Sequence, residues 1–135
     1  MIVAPVLAEH LAQIRPQAAQ EGETRAQGLA VPGGDGWAAI VDGRAVAAAG
    51  LVELWPGRSY AWALLDKAAG PHMLGITRAI RSRLDASPSR RIEMAVDACF
   101  PAGCRFALML GFELESRARA YFPNGNDGLV FVRIR

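Results

Sequence analysis

The sequence predicts one α+β domain over residues 1–135, with a central, mostly antiparallel sheet of six to seven strands and about four helices. A chain of 135 residues has the size of one hydrophobic core rather than two. Its apolar residues recur with period two in some segments and with helical spacing in others, with no repeat or linker between them. A composition of 52% hydrophobic and 21% charged residues is typical of a globular domain and excludes a disordered or low-complexity chain.

The first quarter of the chain predicts a short strand followed by two helices. Residues 6–14 place Leu7, Leu11 and Ile14 at helical spacing. Pro16 cannot lie inside that helix, so it is expected to begin a second one that runs to about Gly28.

The next segment predicts three antiparallel strands joined by tight turns. Residues 31–36 are rich in Gly and Pro and indicate a loop. The strands 37–41 and 44–54 flank Asp42-Gly43, a dipeptide that tolerates the backbone of a two-residue hairpin turn. A turn at Pro56-Gly57 then leads into a third strand over 59–65.

The second half of the chain predicts helix, strand, helix and two strands. Apolar residues share one helical face over about 71–86, and 91–96 alternates as a short strand. A helix is expected over 101–110, since Pro101 suits its first position and Gly111 its end. The last two strands, 112–122 and 128–135, are joined by a turn-rich segment.

Charge and apolar patterning exclude several classes of function. The formal net charge of +2 is too small to indicate a nucleic-acid or membrane surface. No apolar run approaches a membrane span and the first residues do not form a signal peptide, so a cytoplasmic protein is expected. The two histidines are far apart in sequence, which predicts no metal site, and Cys99 and Cys104 are expected to be reduced.

The order of elements resembles the GNAT superfamily of N-acetyltransferases over essentially the whole chain. Leu110-Gly111-Phe112 and the hairpin that begins at Tyr121-Phe122-Pro123 carry the resemblance. The stretch Ala69-Gly70-Pro71-His72-Met73 is similar to small phage-encoded members, of which some are acetyltransferases and others are internal virion or assembly proteins. The resemblance implies an α/β/α layered fold and acetyl-coenzyme A as cosubstrate.

The segment from Asp66 to Met73 joins a strand to an amphipathic helix, where free backbone N–H groups bind anions such as a pyrophosphate. The family's loop has Arg or Gln, then Gly three residues later, then Gly or Ala; the matching residues here are Lys67, Gly70 and His72. The bulk of His72 departs from that pattern and narrows the backbone's approach to a ligand. An ordinary strand-to-helix turn explains the same residues. The predicted cofactor-binding residues are Leu65, Lys67, Gly70, His72, Met73 and Arg78, the last for the 3′-phosphate.

Three residues are candidates for the chemistry, and each has an alternative structural role. Glu53 precedes the third strand of the hairpin set and is a candidate base or an exposed carboxylate. Tyr121 is a candidate acid for the leaving thiolate or a strand tyrosine that packs one face. Asp97 is a candidate base or amine-binding group, or a turn residue. The family's usual Glu and Tyr are missing from this sequence.

Two functions follow from these observations. The first is transfer of acetyl to an unidentified amine, on a small molecule or a protein, by direct attack in a ternary complex. The second is a phage virion or assembly protein that keeps the fold without catalysis and binds virion proteins. Homodimer formation is a default expectation in either case.

Overall fold

The protein folds as a seven-stranded sheet with helices on both faces. The structure is a computed structural model, and it describes residues 1–17, 20 and 35–135. The strands are β1 (Ile2–Pro5), β2 (Asp35–Val41), β3 (Arg44–Trp55), β4 (Arg58–Leu65), β5 (Arg91–Asp97), β6 (Glu113–Ala118) and β7 (Gly128–Ile134). The helices are α1 (Ala8–Gln13), α2 (Met73–Ala86) and α3 (Pro101–Met109), and a 3-10 turn over Gly70–His72 precedes α2.

The strand order is β1-β2-β3-β4-β5-β7-β6. Every neighbouring pair is antiparallel except β4 and β5, which are parallel and are connected through α2. This mixed arrangement confirms the predicted α+β class. It also divides the sheet into an antiparallel half that ends at β4 and another that begins at β5.

Two apolar clusters cover the two faces of the sheet. The larger one packs α2 and α3, through residues such as Ile76 and Phe106, against β3, β4, β5 and β7. The smaller one packs Leu11 and Ile14 at α1 against β3 and Trp62 of β4. Alternate residues of β4 therefore face opposite layers, as strand geometry requires.

The predicted elements are confirmed where the structure describes them, with three changes. Pro16, the expected first residue of the second helix, instead forms an isolated bridge with Asp66, because the Asp66 carboxylate holds the Arg15 backbone against the end of β4. Asp35 and Gly36, expected in the loop, begin β2 because they pair with β3. The strand expected over 112–122 ends at Ala118. Ala120 has a positive φ of 49°, and Asp127 accepts its N–H at 2.9 Å, so residues 119–127 form one long turn. Most of the helix expected from Pro16 to about Gly28 lies outside the described residues, as do residues 31–34 of the predicted loop.

Within the described residues, no helix is long and apolar enough to cross a membrane.

Candidate functional site

The parallel strands β4 and β5 separate after three residue pairs. They are paired only at Arg58–Arg91, Ser59–Ile92 and Tyr60–Glu93. Beyond this point β4 stays paired with β3, and β5 stays paired with β7 to its last residue. A gap therefore opens between the two halves of the sheet, closed at Tyr60 and open toward the carboxyl ends of both strands.

The side of β4 that faces this gap carries backbone groups that are not paired with a neighbouring strand. The C=O of Gly57 accepts a hydrogen bond from Arg91 of β5 at 3.0 Å, whereas the N–H of Asp66 donates to Val46 of β3 at 2.8 Å. Because backbone groups alternate between the two sides of a strand, those of residues 63 and 65, beyond the last paired position, face the gap. We call these groups the β4 edge.

The loop from Lys67 to His72 follows the β4 edge directly. The N–H groups of Lys67, Ala68 and Ala69 are already bonded, to the C=O of Arg15 and to the carboxylate and C=O of Asp66. The N–H of Gly70 has no acceptor among the described residues. The loop therefore offers fewer donors than its sequence predicts.

The start of α2 supplies the remaining donors beside Gly70. The 3-10 turn already engages part of them, because the N–H of His72 donates to the C=O of Ala69 and that of Met73 to the C=O of Gly70. The first turn of α2 has neither a side-chain cap nor an acidic residue, so the positive end of its dipole, together with the N–H of Gly70, favours an anion. Gly70 has no positive φ, and a Cβ at that position would meet none of the described residues within 4 Å. The described part of the chain therefore leaves the space over Gly70 open.

The other predicted cofactor-binding residues take different positions around this loop. Lys67 is exposed, His72 is half-buried, and Met73 packs against the larger apolar cluster. Arg78 is exposed on α2. Leu65 ends β4, and its backbone N–H belongs to the β4 edge.

Asp66 fixes the path of the loop. Its carboxylate is fully buried and accepts bonds from the backbone and side chain of Arg15, from Arg44 at 2.8 Å and from the N–H of Ala68 at 2.8 Å. Burial raises the pKa of Asp66, but the hydrogen bonds and charge of Arg15 outweigh burial and hold that pKa well below its usual range. Asp66 is therefore ionised and structural.

Asp97 and Tyr121 lie together at the open end of the gap. Asp97 is paired with Gly128 of β7, and a Cβ on Gly128 would lie 2.8 Å from Cδ1 of Tyr121. Asn124 and Asn126 donate to the Asp97 carboxylate at 3.0 and 3.1 Å. Burial raises the pKa of Asp97, and the bonds from both amides and from the Cys99 N–H more than offset it, so the pKa is lowered. Asp97 thereby anchors the turn that carries Tyr121.

Glu53 lies at the other end of the gap. It is exposed and paired with Ser59, just before β4 leaves β5. Ser59 is paired with Ile92. Asp97 lies five positions beyond Ile92 in β5, a distance of about 17 Å along the strand. The structure therefore brings Asp97 and Tyr121 together but does not bring Glu53 to them.

Sequence reasoning missed the groups at the closed end and at the β4 edge. Glu93 is buried at the last paired position and is bonded by Arg58 and Arg91, and Tyr60 lies beside it. Strand alternation could have indicated that Glu93 shares a face with Asp97, whereas its place beside Tyr60 follows from the register of β4 and β5. The side chain of Gln20 contacts Ala63 and Leu65, and no sequence signal predicts a contact over more than 40 residues.

The sequence predicts that this chain lacks a metal site and contains two reduced cysteines. Among the described residues, no group of three or more His, Cys, Asp or Glu side chains could hold a metal ion. Cys99 and Cys104 have free thiols, and burial raises the pKa of Cys104.

Comparison with solved structures identifies the fold. The ribosomal-protein-S18-alanine N-acetyltransferase from Escherichia coli matches with a TM-score of 0.74 at 16% identity, over 98% of this chain and 92% of that chain. A GNAT-family protein from Desulfovibrio desulfuricans matches with a TM-score of 0.59 at 16% identity, over 74% of this chain and 67% of that one. The chain has the GNAT fold.

A third structure extends the GNAT likeness over full length. The ribosomal-protein-alanine N-acetyltransferase from Brucella melitensis matches with a TM-score of 0.68 at 12% identity, over 100% of both chains. No protein-family model matches the sequence, and no curated protein matches it. These neighbours are acetyltransferases. Because their sequence identity to this chain is low, the likeness identifies neither its substrate nor its mechanism.

Proposed function

We propose that the protein is an acetyl-coenzyme A-dependent N-acetyltransferase that acts on a small-molecule or protein amine. The observation that carries the proposal is the gap between β4 and β5, which leaves the β4 edge without a strand partner beside the start of α2. An unpaired strand edge binds an extended chain that carries amides. The pantetheine arm of coenzyme A is such a chain, and its pyrophosphate is an anion.

The donor fits the gap in one direction. With the pyrophosphate at Gly70 and the start of α2, the pantetheine would follow the β4 edge from Leu65 toward Tyr60. Lys67 and Arg78 would add positive charge near the phosphates, and His72 a further donor. Met73 would contribute by packing the first turn of α2 in place. The thioester would then lie toward the closed end of the gap.

The chemistry requires a neutral amine, a backbone donor for the tetrahedral oxyanion and a proton for the leaving thiolate. Glu53 is level with the closed end and has no hydrogen-bond or ion-pair partner among the described residues, so we assign it the removal of the amine proton. Asp97 is a poor base because its pKa is lowered, and its negative charge suits binding of a cationic amine. Tyr121 lies at the open end, away from the thioester, so the leaving thiolate takes its proton from water.

One observation favours a second candidate, the phage-type virion or assembly protein without catalysis. Among the residues that the structure describes, the buried carboxylates around the gap are Asp66, Glu93 and Asp97, and hydrogen bonds occupy both oxygens of each one. A site with so few unengaged acids has weak general-base capacity. This candidate predicts normal folding with no acetyl transfer.

Thermal unfolding with and without millimolar acetyl-coenzyme A tests the cofactor site. A ligand present at 100 times its Kd adds about 2.7 kcal/mol, which raises the Tm of a domain this size by several degrees. We expect Gly70→Val to weaken coenzyme A binding at least about tenfold, because the side chain enters the open space over the loop without a clash inside the protein.

Ala86→Val is the control, since it places the same valine side chain at the exposed far end of α2. It should leave the affinity unchanged in calorimetry. Equal affinity of wild type and Gly70→Val would reject the assigned pyrophosphate site. Binding without acetylation of any amine in a screened panel would favour the non-catalytic candidate.

A further inference from the structure

The Gln20 side chain lies on the β4 edge. Its Nε2 donates to the C=O of Ala63 at 3.0 Å, and its Oε1 accepts from the N–H of Leu65 at 3.4 Å. Both of these backbone groups face the gap that β5 has left. The carboxamide therefore occupies hydrogen-bonding positions that no strand fills.

The two bonds reproduce the pattern of a parallel ladder. In such a ladder, one residue of the neighbouring strand donates to the C=O of residue i and accepts from the N–H of residue i+2. Ala63 and Leu65 have this spacing, so one amide satisfies both. Gln20 replaces a missing residue of β5 with its side chain.

The chain before Gln20 is held along the same strand end. The N–H of Lys67 donates to the C=O of Arg15 at 2.9 Å, Pro16 forms an isolated bridge with Asp66, and the N–H of Gln20 donates to Gln17 at 2.8 Å. Arg15 is bonded in turn to the buried carboxylate of Asp66. These contacts place the start of this segment beside the β4 edge independently of the carboxamide.

We propose that the Gln20 carboxamide is a resident mimic of a pantetheine amide, which the acyl donor must displace in order to bind. The inference rests on the proposed function, because it takes the β4 edge as the donor's binding edge. An amide of the donor offers the same donor and acceptor pair as Gln20, and both cannot occupy Ala63 and Leu65 together. Gln20 therefore sets the affinity for the donor by competition for one site.

The competition has a predictable size. When only part of the protein is open to a ligand, the apparent Kd rises by the reciprocal of the open fraction. Two hydrogen bonds of ordinary net strength, one of them long, correspond to a factor of about five to ten. We expect Gln20→Ala to bind coenzyme A about five- to tenfold more tightly than the wild type.

Isothermal titration calorimetry with coenzyme A measures this effect. Gln20→Glu is the second variant, because a carboxylate keeps the length of the side chain but cannot donate to the C=O of Ala63; we expect it also to bind more tightly than the wild type. Gln13→Ala is the matched control. Its Oε1 accepts from the N–H of Ala45 at 2.8 Å, away from the β4 edge, so its removal lowers stability and leaves the Kd for coenzyme A unchanged.

The outcomes separate this inference from the proposed function. Tighter binding by both Gln20 variants with an unchanged Gln13→Ala supports displacement. Wild-type binding that Gln20→Ala leaves equal or weakens overturns the inference while the donor site stands. Absence of coenzyme A binding in the wild type and in both Gln20 variants overturns the donor site and the inference together.

Discussion

At the scale of single residues, Asp66 connects three parts of the chain that lie far apart in sequence. Its carboxylate receives Arg15 from the segment after α1, Arg44 from the start of β3 and the N–H of Ala68 from the loop before α2. The Asp66 side chain is 0% exposed, whereas those of Arg15 and Arg44 are 58% and 40% exposed. The buried Asp66 carboxylate is therefore stabilised by its two arginines, whereas solvent also hydrates the exposed side chains of Arg15 and Arg44.

We expect Asp66→Asn to lower the free energy of unfolding by about 2–3 kcal/mol, because the charge-assisted bonds are lost and an amide N–H faces other donors. Asp42→Asn makes the same change in an exposed turn that tolerates Asn and should stay within about 0.5 kcal/mol of the wild type. Urea unfolding at neutral pH measures both.

The pH dependence of the difference in unfolding free energy provides a second test of the role of Asp66. The pKa of Asp66 is lower in the folded than in the unfolded state, so its stabilisation is present above the unfolded carboxyl's pKa of about 4 and decreases as the pH falls further. The difference in unfolding free energy between wild type and Asp66→Asn should be constant from about pH 8 to pH 5 and should decrease below about pH 4. A difference in unfolding free energy that grows in acid would contradict the ionised, structural role of Asp66.

At the scale of elements, glycines in two helices have opposite roles. In α3, a Cβ at Gly103 would lie 2.6 Å from Phe100 Cδ2 and 2.8 Å from Val96 Cγ1. Gly103 thus lets α3 approach β5 closely. In α2, a Cβ at Gly75 would meet only the flexible end of Met1, at 3.1 Å.

We expect Gly103→Ala to destabilise the protein by about 1–3 kcal/mol through overpacking, although helix propensity alone favours Ala by about 1 kcal/mol. Gly75→Ala should stabilise it by about 0.5–1 kcal/mol, because Met1 can move aside. Thermal unfolding of the two variants tests the contrast. Stabilisation by Gly103→Ala would show that α3 is not held as close to Val96 of β5 as Gly103 permits.

At the scale of the whole molecule, the gap leaves the two halves of the sheet joined by a short parallel ladder and by a charged network. Glu93 of β5 is bonded by Arg58 of β4 and by Arg91, and Arg91 continues to Glu115 of β6 at 2.6 Å. The hydrogen bonds that Arg91 donates to both glutamates raise its pKa above its usual range, with Glu115 contributing most. This network clamps the closed end of the gap.

Glu93→Gln is expected to lower the free energy of unfolding by about 2 kcal/mol, since Arg58 and Arg91 lose a buried, charged partner. Asp85→Asn is the control: its side chain is 57% exposed, and surface ion pairs contribute about 0–1 kcal/mol. Chemical denaturation compares them. Equal effects would mean that the network is no more than a surface ion pair.

Local pattern was sufficient for most of the fold and for one part of the site. Residues 65–73 follow one another in sequence, so the strand-to-helix loop and its Gly70 were predictable from turn and helix signals. The order of strands and helices was predictable for the same reason, since each element depends on its own periodicity. The early end of β6 was not, because the Asp127–Ala120 bond depends on how the turn closes.

The remaining features of the site depend on register and on contacts between distant segments. Alternation placed Glu53 on a strand but could not show that it lies about 17 Å along the sheet from Asp97, since that distance follows from the pairing of β3, β4 and β5. Tyr121 meets Asp97 only through the register of β7. The gap itself and its occupation by Gln20 arise where a ladder stops, and tertiary packing decides that point because hydrogen bonding between strands is not encoded within either strand alone.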